Sequence, residues 1–161
     1  MENREPPTED IMKYRAPVLR QKTRQVRKVN AQIKRVLELM LDTMYEANGV
    51  GLAGPQIGLD KALVVVDVGD GPVMLVNPEI TSAEGSASMY EGCLSLPGIN
   101  GEVDRAEKVK VKGLDENGRD VWIEAEGFFA RALQHEIDHL SGRLFIDRAK
   151  TLVIAREDEA I

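Results

Sequence analysis

Gln134-His135-Glu136-Ile137-Asp138-His139-Leu140 is the stretch from which this sequence is best interpreted, because it holds both histidines of the chain. Residues four apart on a helix lie on the same face, with Cβ atoms about 5–6 Å apart. His135 and His139 can therefore each give a nitrogen to one metal ion. Glu136 is turned about 100° from His135 around the helix, beside the ion, where a carboxylate can take a proton from water. This H-E-x-x-H pattern predicts a metallohydrolase.

The alternative interpretation of the motif is a helix with two surface histidines and an ion pair. The flanking apolar residues favour the metal, because their helical spacing predicts a buried face. Two imidazoles and a carboxylate on such a face are costly unless they have partners, and a metal ion supplies them. The pattern predicts a helix that begins near Gly127 and ends at Gly142.

The length and composition of the chain are those of an ordinary globular protein. Its 161 residues, 43% hydrophobic and 30% charged, predict a single catalytic domain over 1–161. A net charge of −6 and a pI near 5.1 argue against DNA and membranes as partners. No apolar run approaches the roughly 18 residues that span a bilayer.

The two ends of the chain and its cysteine content predict the compartment. Residues 1–10 are polar and acidic, which predicts a loose arm and no secretory signal. Residues 149–161 predict a short C-terminal tail, either a helical turn or a frayed end. Cys93 is the one cysteine, so no internal disulfide can form, and we expect a cytoplasmic protein.

The first third of the chain predicts an extended entry, a basic stretch and one helix. Residues 11–14 and 17–19 read as extended segments, and Asn30 is placed to cap a helix that ends near Ala47. Residues 20–35 hold seven cations and no acid, which favours a solvated face over the alternative of an RNA contact, for instance with the ribosome. The seven are Arg20, Lys22, Arg24, Arg27, Lys28, Lys34 and Arg35.

Two hairpins are predicted in the middle of the chain. Residues 62–68 and 73–77 are predicted strands joined by a glycine-rich turn, and Asn77-Pro78 is expected to break the second strand. Small polar residues over 82–88 predict a loop. The second hairpin joins residues 107–115 and 120–126 around Asn117-Gly118. Because the strands come in hairpins, we expect an α+β fold with mostly antiparallel sheets.

A glycine-rich loop precedes the first hairpin, with four glycines in Gly49-Val50-Gly51-Leu52-Ala53-Gly54-Pro55-Gln56-Ile57-Gly58. A phosphate loop is excluded, because no lysine follows and the spacing is not G-x-G-x-x-G. Gln56 is the lone polar side chain of the loop. Taken alone, the loop favours a structural role for its amide over a hydrogen bond to a substrate.

The H-E-x-x-H motif lacks a third ligand, which a catalytic site with one open position requires. No third histidine exists. One alternative is a glutamate about twenty residues downstream, Glu157 or Glu159, as in some zinc proteases. The other is Cys93, whose thiolate is a strong ligand for zinc or ferrous iron and which follows a glycine that frees the backbone. The missing ligand favours Cys93.

The chain resembles the peptide deformylase family. The likeness covers about Ile11 to Arg148 and rests on three motifs that occur in the family's order. The motifs are Gly49-Val50-Gly51-Leu52-Ala53-Gly54-Pro55-Gln56, Glu91-Gly92-Cys93-Leu94-Ser95 and Gln134-His135-Glu136-Ile137-Asp138-His139-Leu140. The resemblance implies removal of the formyl group from the N-terminal formylmethionine of newly made polypeptides, with release of formate. It also implies an α+β fold in which the motif helix packs centrally among antiparallel strands.

The resemblance implies the following roles for site residues. Cys93, His135 and His139 hold one divalent metal ion, ferrous iron first, with zinc, nickel or cobalt as substitutes. Metal-bound hydroxide attacks the formyl carbon, with Glu136 as acid and base. Gln56 and the backbone N–H of Leu94 form the oxyanion hole.

Substrate binding is expected from the backbone near the motifs and from the motif helix. Gly51, with the neighbouring backbone of Val50 and Gly92, would pair with the peptide as an added strand. Phe128 and Ala132 are our candidates for contact with the methionine side chain. The expected partners are N-formylmethionyl nascent peptides, together with a transient ribosome contact.

Glu91 and Arg105 are predicted to pair and brace the cysteine loop. The open alternative is a surface ion pair of little energetic value. Among departures from the family pattern, Arg131 occupies a helix position that is apolar in some members, so preference at or beyond the first residue stays open.

Two rival functions remain at this stage. One is an H-E-x-x-H peptidase that uses the downstream glutamate. The other is a metal-stabilised binding protein with a closed site of four ligands, although a purely structural metal needs no base such as Glu136.

Overall fold

The computed structural model describes residues 8–154 and contains two sheets and two α-helices within that range. The helices are α1 (Ala31–Glu46) and α2 (Gly127–His139). The strands are β1 (Gly51–Ala53), β2 (Leu63–Val66), β3 (Val73–Glu84), β4 (Ala87–Cys93), β5 (Leu96–Arg105), β6 (Lys108–Leu114), β7 (Asp120–Glu126) and β8 (Thr151–Ile154). One sheet has the order β1-β2-β3-β6-β7 and the other β4-β5-β8, and every neighbouring pair is antiparallel. The α+β prediction is confirmed.

The five-stranded sheet lies between the two helices. All four residues of β2 are buried, because the two faces of this strand pack against different helices. Val64 and Val66 join the cluster that includes Ala132 and Leu133 of α2. Leu63 and Val65 join the cluster of α1. Such a strand reads as a continuous apolar run rather than an alternating one.

α1 begins and ends where local chemistry predicts. The Asn30 side chain accepts a hydrogen bond from the backbone N–H of Ile33 at 2.9 Å, which satisfies one of the free donors of the first turn. Asn48 has φ +58°, the left-handed conformation that commonly follows a helix. The predicted helix from Asn30 to about Ala47 is therefore confirmed.

α2 packs against the face of the five-stranded sheet that carries Val64 and Val66, and it contacts β1, β2 and β7. Gly142 follows it with φ +74°, and a Cβ at this position would lie 2.4 Å from the carbonyl oxygen of Arg20. Only glycine permits that approach, which lets the backbone of Thr23 donate to the carbonyl of Leu140 at 2.9 Å. The segment around residue 20 is thereby held against the end of the helix.

Strand pairing overrides two of the local predictions, and a third fails for a local reason. Asn77-Pro78 does not end its strand, because β3 accommodates it in a bulge between Val76 and Glu79 and continues to Glu84. Residues 82–88 are consequently strand on both sides of a short turn rather than a loop. The segment predicted as extended over 17–19 forms a 3-10 turn, Pro17–Arg20, with proline at its start.

The predicted tail is only partly a tail. Thr151–Ile154 pairs with β5 from Glu102↔Thr151 to Ile99↔Ile154, so the prediction of a helical turn or frayed end over these residues is wrong. Hydrogen bonding to a strand 50 residues earlier cannot be inferred from a short segment alone. The remainder of the predicted tail and most of the predicted arm over 1–10 lie outside the described residues.

Neither of the two helices described here is long and apolar enough to span a bilayer.

Candidate active site

The centre of the site is a buried cluster of one thiol and two imidazoles. His135 and His139 lie on adjacent turns of α2, with ring centroids 5.2 Å apart. Cys93 ends β4 and brings its Sγ to 3.5 Å from Nε2 of His139. One ligand atom from each of the three residues lies within 4.8 Å of the others, and all three residues are buried. No further histidine, cysteine or acid of the described chain belongs to this cluster.

The strand pairing of β4 explains how Cys93 reaches the helix. The register against β5 changes between Glu91↔Gly101 and Cys93↔Leu96, so regular pairing is interrupted around Gly92. Irregularities of this kind re-aim a side chain, and they often occur beside active sites. Leu94 and Ser95 form the tight turn that follows. The two downstream glutamates that were the alternative third ligands lie outside the described residues.

The residues present fit a divalent cation. Four buried polar atoms have no hydrogen-bond partner: Nε2 of His135, Nδ1 of His139 and both carboxylate oxygens of Glu136. Buried polar atoms are nearly always paired, so unpaired atoms beside the Cys–His–His cluster indicate a missing ligand. A thiolate with two imidazoles is a donor set that suits zinc or ferrous iron. The expected metal-binding triad is therefore present as a geometric cluster.

The electrostatics of the two histidines differ. Burial opposes a charged imidazole at His135, but the neighbouring Glu136 and Cys93 outweigh burial and raise the pKa of His135 to about 10. Burial and the charge of His135 lower the pKa of His139 well below its ordinary value. One histidine is thus favoured as charged and the other as neutral. A metal ion binds neutral imidazole, so its binding would release the proton of His135.

Glu136 is fully buried and lies against β1. A Cβ at Gly51 would lie 2.4 Å from Oε2 of Glu136, so the carboxylate occupies the space that any larger residue at position 51 would need. Burial raises the pKa of the Glu136 carboxyl to about 7. A carboxyl with this pKa can both accept and release a proton near neutral pH.

Glu91 connects the cysteine strand to the metal-ligand helix. Its Oε1 lies 2.8 Å from Nδ1 of His135, and Arg105 donates to both of its oxygens, at 2.6 and 3.0 Å. Burial works against the charged form of Glu91, but the hydrogen bonds from His135 and Arg105 outweigh burial and lower its pKa to about 2. The predicted Glu91–Arg105 pair is present and buried, so the alternative of a surface ion pair is excluded.

Two further charged residues of this network were not assigned from the sequence. Arg131 donates to Oε2 of Glu91 at 2.6 Å, and Asp138 accepts from Arg105 at 2.9 Å. From the sequence, Arg131 was connected with substrate preference. In the structure, its guanidinium binds Glu91, which in turn contacts His135. A signal was available, because Arg131 is one turn before His135 on a face that the apolar pattern predicts to be buried.

The amide of Gln56 is held beside Cys93. Its Oε1 accepts from the backbone N–H of Ala53 at 3.0 Å. Its Nε2 donates to the hydroxyl of Ser95 at 3.1 Å and lies 3.5 Å from Sγ of Cys93. The contact with Ser95 was not predicted, and its one signal was the place of Ser95 in the cysteine motif. The structure thus brings Gln56 to the cluster, as expected.

The predicted substrate-binding residues surround the same helix face. Gly51 is in β1, which is an edge strand of the five-stranded sheet as described here. Gly92 is buried beside Cys93, and Val50 is half-buried. On α2, Ala132 is fully buried, whereas Phe128 is 40% exposed.

Comparison with known proteins identifies the family. The family model for polypeptide deformylase matches residues 8–154. The chain therefore belongs to the polypeptide deformylase family. The resemblance found in the three motifs is confirmed.

Several peptide deformylases are similar over nearly their whole length. That of Pelotomaculum thermopropionicum is 50% identical over 143 residues, 88% of this chain and 92% of the relative. That of Desulfitobacterium hafniense is 53% identical over 140 residues, which are 87% of this chain and 93% of the relative. The crystal structure of peptide deformylase from Thermotoga maritima superposes with a TM-score of 0.88 at 42% identity, covering 90% of this chain and 99% of that one. The peptide deformylase structure from Synechococcus elongatus, in complex with actinonin, superposes with a TM-score of 0.87 at 42% identity. The match covers 91% of this chain and 81% of that one.

Membership in this family establishes the activity. The chain is a peptide deformylase-type hydrolase that removes the formyl group from the N-terminal formylmethionine of new polypeptides. Members of the polypeptide deformylase family are metalloenzymes, and in this chain Cys93, His135 and His139 form a cluster that could hold a metal ion.

Proposed function

We propose that Cys93, His135 and His139 hold one divalent cation and that Glu136 is the acid and base of deformylation. The observation that carries this proposal is the convergence of the three ligand atoms beside a buried carboxylate that has no hydrogen-bond partner. Ferrous iron is the ion we propose in the cell, because a thiolate with two imidazoles suits it. Zinc, nickel and cobalt suit the same donors.

When bound, the cation would supply a Lewis acid that polarises the formyl oxygen and lowers the pKa of a neighbouring water toward about 7. The chain supplies the remaining chemistry. Glu136, whose pKa is about 7, takes the proton of the attacking water and passes it to the leaving amine. Formate and the free amino terminus are the products.

Gln56 and the backbone N–H of Leu94 are proposed to stabilise the negative charge that develops on the formyl oxygen. Support comes from the fixed orientation of the Gln56 amide, whose oxygen is held by Ala53 and whose nitrogen lies close to Cys93. A donor that is already oriented costs no reorganisation during the reaction. Loss of one such donor typically lowers the rate about 10²–10³-fold.

The substrate peptide is proposed to add as a strand at β1. The inner side of β1 pairs with β2, as in Gly51↔Val66, which leaves its outer edge for backbone hydrogen bonds. Val50, Gly51 and Gly92 would contact the peptide backbone in this arrangement. Phe128 and Ala132 would contact the methionine side chain.

The test is formate release from a short formyl-methionyl peptide by protein purified without oxygen. We expect release that depends on a divalent metal, stops when the metal is chelated and returns when iron, nickel or zinc is restored. No internal peptide bond should be cleaved. Absence of release with all three metals would contradict the proposal, and cleavage of internal bonds would indicate the rival peptidase.

We also propose that the protein acts in the cytoplasm and touches the ribosome transiently through its basic segment. Arg24, Arg27, Lys28 and Lys61 line a groove of about 430 Å³ together with polar side chains. Arg24 pairs with Asp60, whereas Arg27, Lys28 and Lys61 have no carboxylate partner among the described residues. On β6, by contrast, all three lysines face glutamates. Unpaired cations beside a groove favour a phosphate backbone.

Charge reversal tests the ribosome contact separately from catalysis. Arg27→Glu with Lys28→Glu should weaken co-sedimentation with ribosomes at low salt by roughly tenfold or more, because phosphate contacts dominate such affinity. Formate release from a short peptide should not change. The matched control is Lys110→Glu with Lys112→Glu, which alters the net charge equally at paired cations. Equal weakening by both pairs, or by neither, would contradict a specific contact in this groove.

A further inference from the structure

Arg131 joins α2 to the hairpin that carries Cys93. Its side chain is almost fully buried, and its guanidinium donates in three directions. NH1 donates to Oε2 of Glu91 at 2.6 Å and to the carbonyl of Val103 at 2.9 Å, and NH2 donates to the carbonyl of Ala87 at 2.7 Å. All three acceptors belong to β4 or β5, whereas Arg131 itself is one turn before His135 on α2.

Arg105 binds the Glu91 carboxylate as well, but from the hairpin rather than from α2. It projects from β5, donates through Nε and NH2 to Glu91, and donates through NH1 to Asp138 of α2. Glu91 therefore lies between two guanidinium groups, one from the helix and one from the hairpin. Because Glu91 also contacts Nδ1 of His135, any shift of its carboxylate reaches a proposed metal ligand directly.

We propose that Arg131 is a positioning residue that sets the spacing between Cys93 on β4 and His135 on α2, and thereby the affinity of the site for its metal. This inference rests on the proposed metal site. Arg105 cannot replace Arg131, because none of its hydrogen bonds reaches the carbonyls of Ala87 or Val103. Without Arg131, those two carbonyls lose a buried donor, and the hairpin keeps only the Glu91–His135 and Arg105–Asp138 contacts of this network to the helix.

A planar guanidinium suits this position better than any other side chain. Its rigid fork can hold a carboxylate and two carbonyls in fixed relative directions, whereas a lysine ammonium is a single point of charge on a flexible chain. Outer partners of metal ligands typically change metal affinity 10–100-fold when they are removed. The competing explanation is that Arg131 contributes to folding only.

The experiment compares Arg131→Met and Arg131→Lys with the wild-type chain in titrations with Co²⁺, followed by the thiolate-to-cobalt absorption band. Titrations are performed at a temperature at which circular dichroism shows every variant folded. We expect the Kd for Co²⁺ to rise about 10–100-fold in Arg131→Met, with a smaller rise in Arg131→Lys. At saturating metal, kcat should fall while KM for the formyl peptide changes little.

Met40→Ala is the matched control, because Met40 is fully buried in the α1 cluster and takes no part in the hydrogen bonds of Glu91, Arg105 and Arg131. It should lower the melting temperature of the metal-free protein without changing the Kd for Co²⁺. An Arg131→Met variant that only melts earlier, with the Kd and the absorption band unchanged, would overturn the inference. If that variant does not fold, the Kd of Arg131→Lys decides. A wild-type chain that binds no Co²⁺ would instead contradict the metal site itself.

Discussion

Replacing Cys93 by alanine is expected to abolish tight metal binding and, with it, formate release. Cys93 is one of the three proposed ligands, whose ligand atoms lie within 4.8 Å of one another, and on binding a metal it would be the one anion among them. Structural metal sites of comparable donors gain several kcal/mol per ligand, so the loss of one ligand should weaken binding at least about 100-fold. Metal content after anaerobic purification and a Co²⁺ titration measure this effect directly.

The cysteine variant also separates the two interpretations of the third ligand. Cys93→Ser keeps the size of the side chain, so a weaker but detectable metal site in this variant would show that the ligand atom rather than a cavity matters. Full metal content and normal activity in Cys93→Ala would contradict the assignment. In that case Glu157→Ala and Glu159→Ala would be tested as the ligand of the rival peptidase.

Glu136→Gln is expected to stop turnover while the metal stays bound. The amide has nearly the same shape as the carboxylate, so Gly51 should still accommodate it. It cannot accept a proton, and loss of a general base typically lowers the rate about 10²–10⁴-fold. Steady-state kinetics should show the loss in kcat with KM little changed, and metal analysis should show one ion per chain.

Glu124→Gln is a suitable control for that experiment, because Glu124 is exposed on the outer face of β7. Its kinetics should match those of the wild-type chain. A Glu136→Gln variant that keeps the wild-type kcat would show that another group moves the proton. One that loses its metal would show that Glu136 acts as a ligand.

Local chemistry accounts for the parts of the fold that were predicted correctly. The cap at Asn30, the turn at Asn117-Gly118 and the extent of α2 depend on residues a few positions apart. Where the predicted strand end and the predicted tail failed, a distant strand decided the outcome. β3 continues through Asn77-Pro78 because pairing with β6 tolerates a bulge, and Thr151–Ile154 is a strand because β5 offers an edge.

The candidate site divides in the same way. Helical periodicity is a local property, so it alone places His135 and His139 on one helix face with Glu136 beside them. The meeting of Cys93, 46 residues before His139, with these histidines and the burial of the Glu91 network follow only from the folded chain. The reason is that such contacts follow from the packing of a hairpin on a helix, and that packing depends on apolar residues spread over the whole chain.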